Sequence, residues 1–113
     1  MNALARIQTR GLWTIVAITG VLDDSRVTAL RTWLNEAVAA HRAVAVDLSG
    51  GRLTGTRWMA VLLEAERRAR ACRHAFAVVS PKAEAARLCL PVLARGGRLV
   101  LCQSLAELPP LSR

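Results

Sequence analysis

The chain has 113 residues, 53% of them hydrophobic, with 16 basic residues against 8 acidic and a formal net charge of +8. This length holds one domain and the apolar share fills one core, which excludes collagen-like, low-complexity and disordered classes. No apolar run approaches the roughly 18 residues of a spanning helix, and Met1–Arg6 lacks the features of a secretory signal, so the expected setting is the cytoplasm.

Leu12–Thr19, LWTIVAIT, is rich in β-branched and aromatic residues and reads as a strand, with Ala3–Thr9 as a short edge partner. Gly20 is expected to end that strand. Asp23, Asp24 and Ser25 follow, each able to cap a helix. Val27, Leu30, Leu34, Ala37 and Val38 recur at helical spacing and predict an amphipathic helix over about 26–41, with Trp33 at the edge of the stripe. His41 falls at its end.

Ala43–Leu48, AVAVDL, is a short apolar run closed by Ser49-Gly50-Gly51, the pattern of a buried strand entering a turn. A second helix is expected from near Thr56, with Trp58, Val61, Leu62, Ala65 and Ala69 on one stripe. Glu64/Arg68 and Glu66/Arg70 form i,i+4 pairs on the other side. Cys72–His74 is a connector, and Ala75–Val79 a third buried strand. Ser80-Pro81 starts another helix that stops near Leu90, before Pro91. Arg95-Gly96-Gly97 is a turn, Arg98–Cys102 a last strand, and Ser104–Leu108 one more helical turn.

The order β-β-α-β-α-β-α-β-α implies a single α/β domain over 1–113. A mostly parallel, mixed sheet of four to five strands carries four helices packed against it. Leu30, Leu34, Val46, Leu62 and Val78 are expected in the core. Binding in such sheets sits beyond the C-terminal strand ends, here Gly20–Ser25 and Ser49–Trp58.

Little catalytic equipment is present. Ser49-Gly50-Gly51 matches neither the dinucleotide fingerprint nor the Walker pattern, there is no Gly-x-Ser-x-Gly elbow, and no acid pairs with a histidine at useful spacing. The chain is expected not to be an enzyme and to need no cofactor. Cys72, Cys89 and Cys102 are odd in number and widely spaced, which argues against a disulfide framework or a metal site. Cys72 beside His74 reads as a buried thiol next to a surface histidine. Lys82 is the single lysine among the bases, and the Arg and Ala excess matches the codon bias of a GC-rich genome. The bases are spread, Arg67, Arg68, Arg70 and Arg73 being the nearest to a cluster, and aromatic stacking residues are few. The charge thereby argues only weakly for a nucleic-acid role, and a positive field attracting an acidic protein partner is at least as good a reading of it.

Across about 10–108 the chain resembles the STAS family, in particular the bacterial anti-sigma-factor antagonists. Gly20-Val21-Leu22-Asp23 stands where that family has a Gly-Glu-Leu-Asp turn, and Val46-Asp47-Leu48-Ser49 matches its strand end. Ser80-Pro81 and Ser104-Leu105-Ala106-Glu107 match its layout. The resemblance implies a transcription-regulating interaction module whose partner is an anti-sigma factor with a kinase-like fold. It also implies a phosphorylation switch on a hydroxyl opening the second helix, within Asp-Ser-Ser/Thr-Gly. Gly55-Thr56-Arg57-Trp58 falls there: Thr56 takes the acceptor position, and the other three residues depart from the motif.

Two readings stand for each residue. Thr56 is a phosphoacceptor, or Thr56 or Thr54 simply caps the helix. Trp58 is core, or an exposed interface anchor. Asp23 and Asp24 are caps or part of a partner surface, Asp47 pins the N–H groups of the neighbouring loop or touches the partner, and Ser49 belongs to the expected partner surface. Gly55, Thr56 and Arg57 complete the expected surface. The alternatives at the level of function are a STAS subunit of a membrane transporter complex, without membrane insertion of its own, and an Arg-rich nucleic-acid binder. A homodimer is left open.

Overall fold

The computed structural model describes residues 4–80 and 100–111. β1 (Leu4–Arg10) and β2 (Trp13–Leu22) form an antiparallel hairpin, with Arg10 opposite Trp13 and Leu4 opposite Thr19. The two-residue turn has Gly11 at φ 60, the conformation a tight hairpin needs at that position. α1 (Val27–Ala40), β3 (Ala43–Asp47), β4 (Gly51–Leu53), α2 (Arg57–Ala71), β5 (Ala75–Val79) and β6 (Val100–Cys102) follow. The sheet order is β1-β2-β3-β5-β6, with β4 beside β2. Every pairing after the first hairpin is parallel. This is the expected mixed α/β sheet.

Alternation along the central strands builds two different faces. Val16, Ile18, Val44, Val46, Phe76 and Val78 point to one side, where Leu30 and Leu34 of α1 and Val61, Leu62 and Ala65 of α2 close the main core. All five residues expected in the core are buried there. Trp13, Ile15, Ala17, Ala43, Ala45 and Ala77 point to the other side, packed against Leu105, Leu108 and Leu111. The alanines leave room for an irregular segment to lie close to the sheet. The Trp13 indole N–H donates to the Pro109 carbonyl at 2.9 Å and fastens that segment.

Several expectations are corrected. Gly20 does not end β2. It adopts φ 83 and the strand continues to Leu22, because Gly20–Leu22 pairs with Gly51–Leu53. Residues read as a loop therefore add a strand, and the sheet has six strands among the described residues rather than four to five. Of four expected helices, two are α-helices among the described residues. The one over 81–90 lies outside the described residues, as do Cys89 and the 95–97 turn, and the last is a 3-10 turn at Leu105–Glu107. The first helix begins one residue later than expected, after a 3-10 turn at Asp24–Arg26.

Glu66 pairs with Arg70 but is 3% exposed, so it does not lie on the outer side of α2. Cys72 is exposed, and His74 is the partly buried member of that pair, with Nδ1 2.9 Å from the Val38 carbonyl. Cys72 ends α2 and Arg73 turns back at φ 59, which swings the thiol outward while His74 folds onto α1. The Arg67–Arg73 stretch is partly neutralised, since Arg68 reaches Glu64 and Arg70 reaches Glu66. No described helix is long and apolar enough to cross a membrane.

Candidate functional site

The parallel strands all run toward one edge of the sheet, where β2 stops at Leu22, β3 at Asp47, β5 at Val79 and β6 at Cys102. Backbone bonds lace the exits together: Leu48 N–H to Val79 O at 2.9 Å, Ser80 N–H to Cys102 O at 2.8 Å, and Thr54 N–H to Leu22 O at 3.0 Å. Two of these exits use the same local device. The Asp23 carboxylate accepts the Ser25 backbone and hydroxyl donors, and Asp47 accepts both donors of Ser49, at 2.9 and 2.6 Å. An Asp-x-Ser sequence at the end of a strand closes such a turn from its own side chains. The Ser25 hydroxyl, foremost, holds Asp23 below its ordinary carboxylate value; desolvation, next in size, opposes it, and the Ser25 and Arg26 amides and the Arg26 charge add to the lowering.

Asp24 joins the two candidate segments. Its Oδ1 is 3.4 Å from the Arg57 amide, which opens α2. The start of α2 thus receives a carboxylate from another loop, where unpaired N–H groups and the positive end of the helix dipole favour one. Thr56 occupies the N-cap position but makes no side-chain capping bond and is exposed. Capping by Thr56 is corrected: Asp24 takes the amide, and the Thr56 hydroxyl is left at the surface.

The same contact accounts for Gly55. Its φ is 73, and a Cβ built on it overlaps the Asp24 carboxylate. A side chain there collides with the group that ties the two loops, so an acceptor-type Asp and Asp24 compete for one space. Gly55→Ala is expected to lose about 1–3 kcal/mol, from the left-handed backbone and the displaced cap. Thr56→Ala is expected to change stability by under about 0.5 kcal/mol. Paired urea titrations of the two variants check both values.

Trp58 is corrected as an exposed anchor. It is 2% exposed and belongs to the main core. Because the helix starts at Arg57, Trp58 faces inward in its first turn, and its indole N–H donates to the Gly55 carbonyl at 3.1 Å. The tryptophan therefore braces the loop from beneath. Asp23, Asp24, Gly55, Thr56 and Arg57 are brought together on the outside. Asp47 and Ser49 sit at the neighbouring strand exit, bonded to each other. Asp24 as the link between the loops is not legible in sequence, because its partner is 33 residues away.

Among the described residues no group of three or more His, Cys, Asp or Glu is placed to hold a metal ion. These side chains close turns and cap a helix, and the exits they shape form one exposed rim along the edge of the α/β sheet. The chain belongs to the STAS-domain family: residues 5–100 match the family model described as Mlab, STAS domain. No curated protein matches it in sequence.

Solved structures share the fold. An anti-sigma factor antagonist from Mycobacterium paratuberculosis aligns over 94% of this chain and 90% of its own, with 19% identity and a TM-score of 0.76. The Bacillus cell fate determinant SpoIIAA in its phosphorylated form aligns over 92% and 95%, with 13% identity and a TM-score of 0.66. The anti-sigma factor antagonist SpoIIAA in its unphosphorylated form gives 92% and 92%, 12% identity and a TM-score of 0.69.

Proposed function

We propose that this chain is a regulatory protein-interaction module that docks a partner on the rim formed by Asp23, Asp24, Gly55, Thr56 and Arg57, with Asp47 and Ser49 beside it. The observation that carries this reading is the bond from the Arg57 amide to Asp24, which makes one exposed surface of two loops distant in sequence. The names of the structural neighbours and the motif resemblance point to an anti-sigma factor with a kinase-like fold as the partner. Asp23→Arg and Arg57→Glu each reverse a charge on that rim, the first half-buried and the second exposed. Each is expected to weaken binding by about 1–3 kcal/mol, measured by calorimetry against an ATP-binding anti-sigma protein. Unchanged affinity in both variants rules out this surface.

The chemistry of the rim bears on a switch at Thr56. A phosphate there adds nearly two negative charges beside Asp24, which already holds the helix amide. The site is therefore poorly prepared to accept one. Incubation with kinase partner and ATP is expected to leave most of the chain unmodified by mass spectrometry, and Thr56→Ala is expected to bind as wild type. Stoichiometric phosphate on Thr56 overturns this part of the reading.

A filled helix N-terminus also supports a second reading, a STAS subunit of a membrane transporter complex, for which docking need not be gated by phosphate. Binding to a transporter ATPase, with none to the anti-sigma protein, selects it. Salt-sensitive retention on DNA that is lost on charge reversal at Arg67 and Arg68 selects the nucleic-acid alternative instead.

A further inference from the structure

We infer that the outer edge of β1 is a self-recognition surface, on which a second copy of this chain pairs antiparallel about a two-fold axis at Ile7. This goes beyond the docking rim and does not depend on it. β1 is the terminal strand of the sheet, and no described strand pairs with its outer edge. It is seven residues long, without proline or bulge against β2. It also carries Leu4 at 61% and Ile7 at 59% exposure, two of the three large apolar side chains exposed among the described residues. Such an edge is a ready template for another strand.

The register follows from the hairpin. A two-residue turn makes Arg10 and Trp13 a hydrogen-bonded pair, and the antiparallel ladder then alternates. Leu4, Arg6, Gln8 and Arg10 direct their backbone groups inward to β2. Ala5, Ile7 and Thr9 direct theirs outward. A two-fold axis at Ile7 pairs all seven residues: Ile7 with Ile7, Ala5 with Thr9, Arg6 with Gln8 and Leu4 with Arg10. Each outward N–H then meets an outward carbonyl. Charge selects the same register. An axis at Arg6 sets Arg6 against itself, and an axis at Gln8 sets Arg6 against Arg10, both like-charge pairs that oppose pairing. The axis at Ile7 pairs the full strand with both of its arginines opposite neutral residues, Arg6 opposite Gln8 and Arg10 opposite Leu4, and it joins the two exposed isoleucines on the helix-bearing face, continuous with Val16 beside them.

The test is sedimentation velocity of the full chain over a concentration series at low and high salt, with thermal melts confirming that each variant is folded. Wild type is expected to show a reversible monomer–dimer equilibrium that tightens with salt, because each protomer carries +8 and screening relieves their repulsion. Ile7→Lys places two like charges on the axis at an exposed position and is expected to weaken the dimer roughly tenfold or more. Gln8→Glu sets a carboxylate opposite the arginine at position 6 of the second copy and is expected to tighten it at low salt. A wild type that stays monomeric up to about 1 mM, or a dimer indifferent to Ile7→Lys, overturns the proposal.

Discussion

Trp58→Ala is expected to lose about 3–5 kcal/mol of folding stability, a large share of the roughly 5–15 kcal/mol available to a domain of this kind. The indole is almost fully buried between α2 and the sheet, so truncation opens a cavity the size of its rings. It also removes the N–H that holds the Gly55 carbonyl, and the loop above loses its brace. Trp58→Phe separates the two effects. Phenylalanine keeps most of the apolar volume and forfeits the hydrogen bond, so its loss is expected near 1–2 kcal/mol. Urea unfolding followed by circular dichroism measures both. A loss under 1 kcal/mol for Trp58→Ala places the indole outside the core and reopens its role as an interface anchor.

Leu62→Ala carries the next largest effect, about 2–5 kcal/mol. Leu62 is 1% exposed, on the stripe of α2 that faces the sheet together with Val61 and Ala65. It belongs to the main core shared by both helices and the central strands, where a close-packed surround relaxes only partly into a void. The Arg31–Glu64 pair connects α1 to α2 over the same region, and Arg68 joins Glu64 within α2, but ion pairs at that exposure are worth at most about 1 kcal/mol. Breaking them with Glu64→Gln is accordingly a mild control beside Leu62→Ala. A loss under 1 kcal/mol for Leu62→Ala shows that the apolar stripe of α2 faces elsewhere.

Local pattern made most of the fold legible. The β-branched run from Trp13, the apolar AVAVD and AFAVV segments, and the 3.6-residue stripes of α1 and α2 each specify their element without help from the rest of the chain. β5 begins and ends where its composition says, at Ala75 and Val79. Alternation likewise determines which strand residues share a face. Where reading failed, the missing information lay in another part of the molecule. Gly20 and Gly51 carry the residue type of a turn, yet both lie in strands, because β2 and β4 satisfy each other's backbone groups there. Glu66 is read as a surface residue from its i,i+4 partner, but the packing of α2 against the sheet buries it.

The candidate site divides in the same way. The Asp-x-Ser turns at Asp23 and Asp47 are local, and their sequence is enough to explain them. The sequence by itself therefore determined a mixed α/β domain, its helix and strand faces, and the two exits from the sheet that carry the candidate residues. Only the tertiary structure decided that Asp24 caps α2 in place of Thr56, that Gly55 must lack a side chain to admit it, and that Trp58 lies beneath the rim rather than on it. The physical reason is reach: a helix N-terminus accepts any carboxylate that the fold brings to it, and the one that arrives here is 33 residues upstream of the amide it meets.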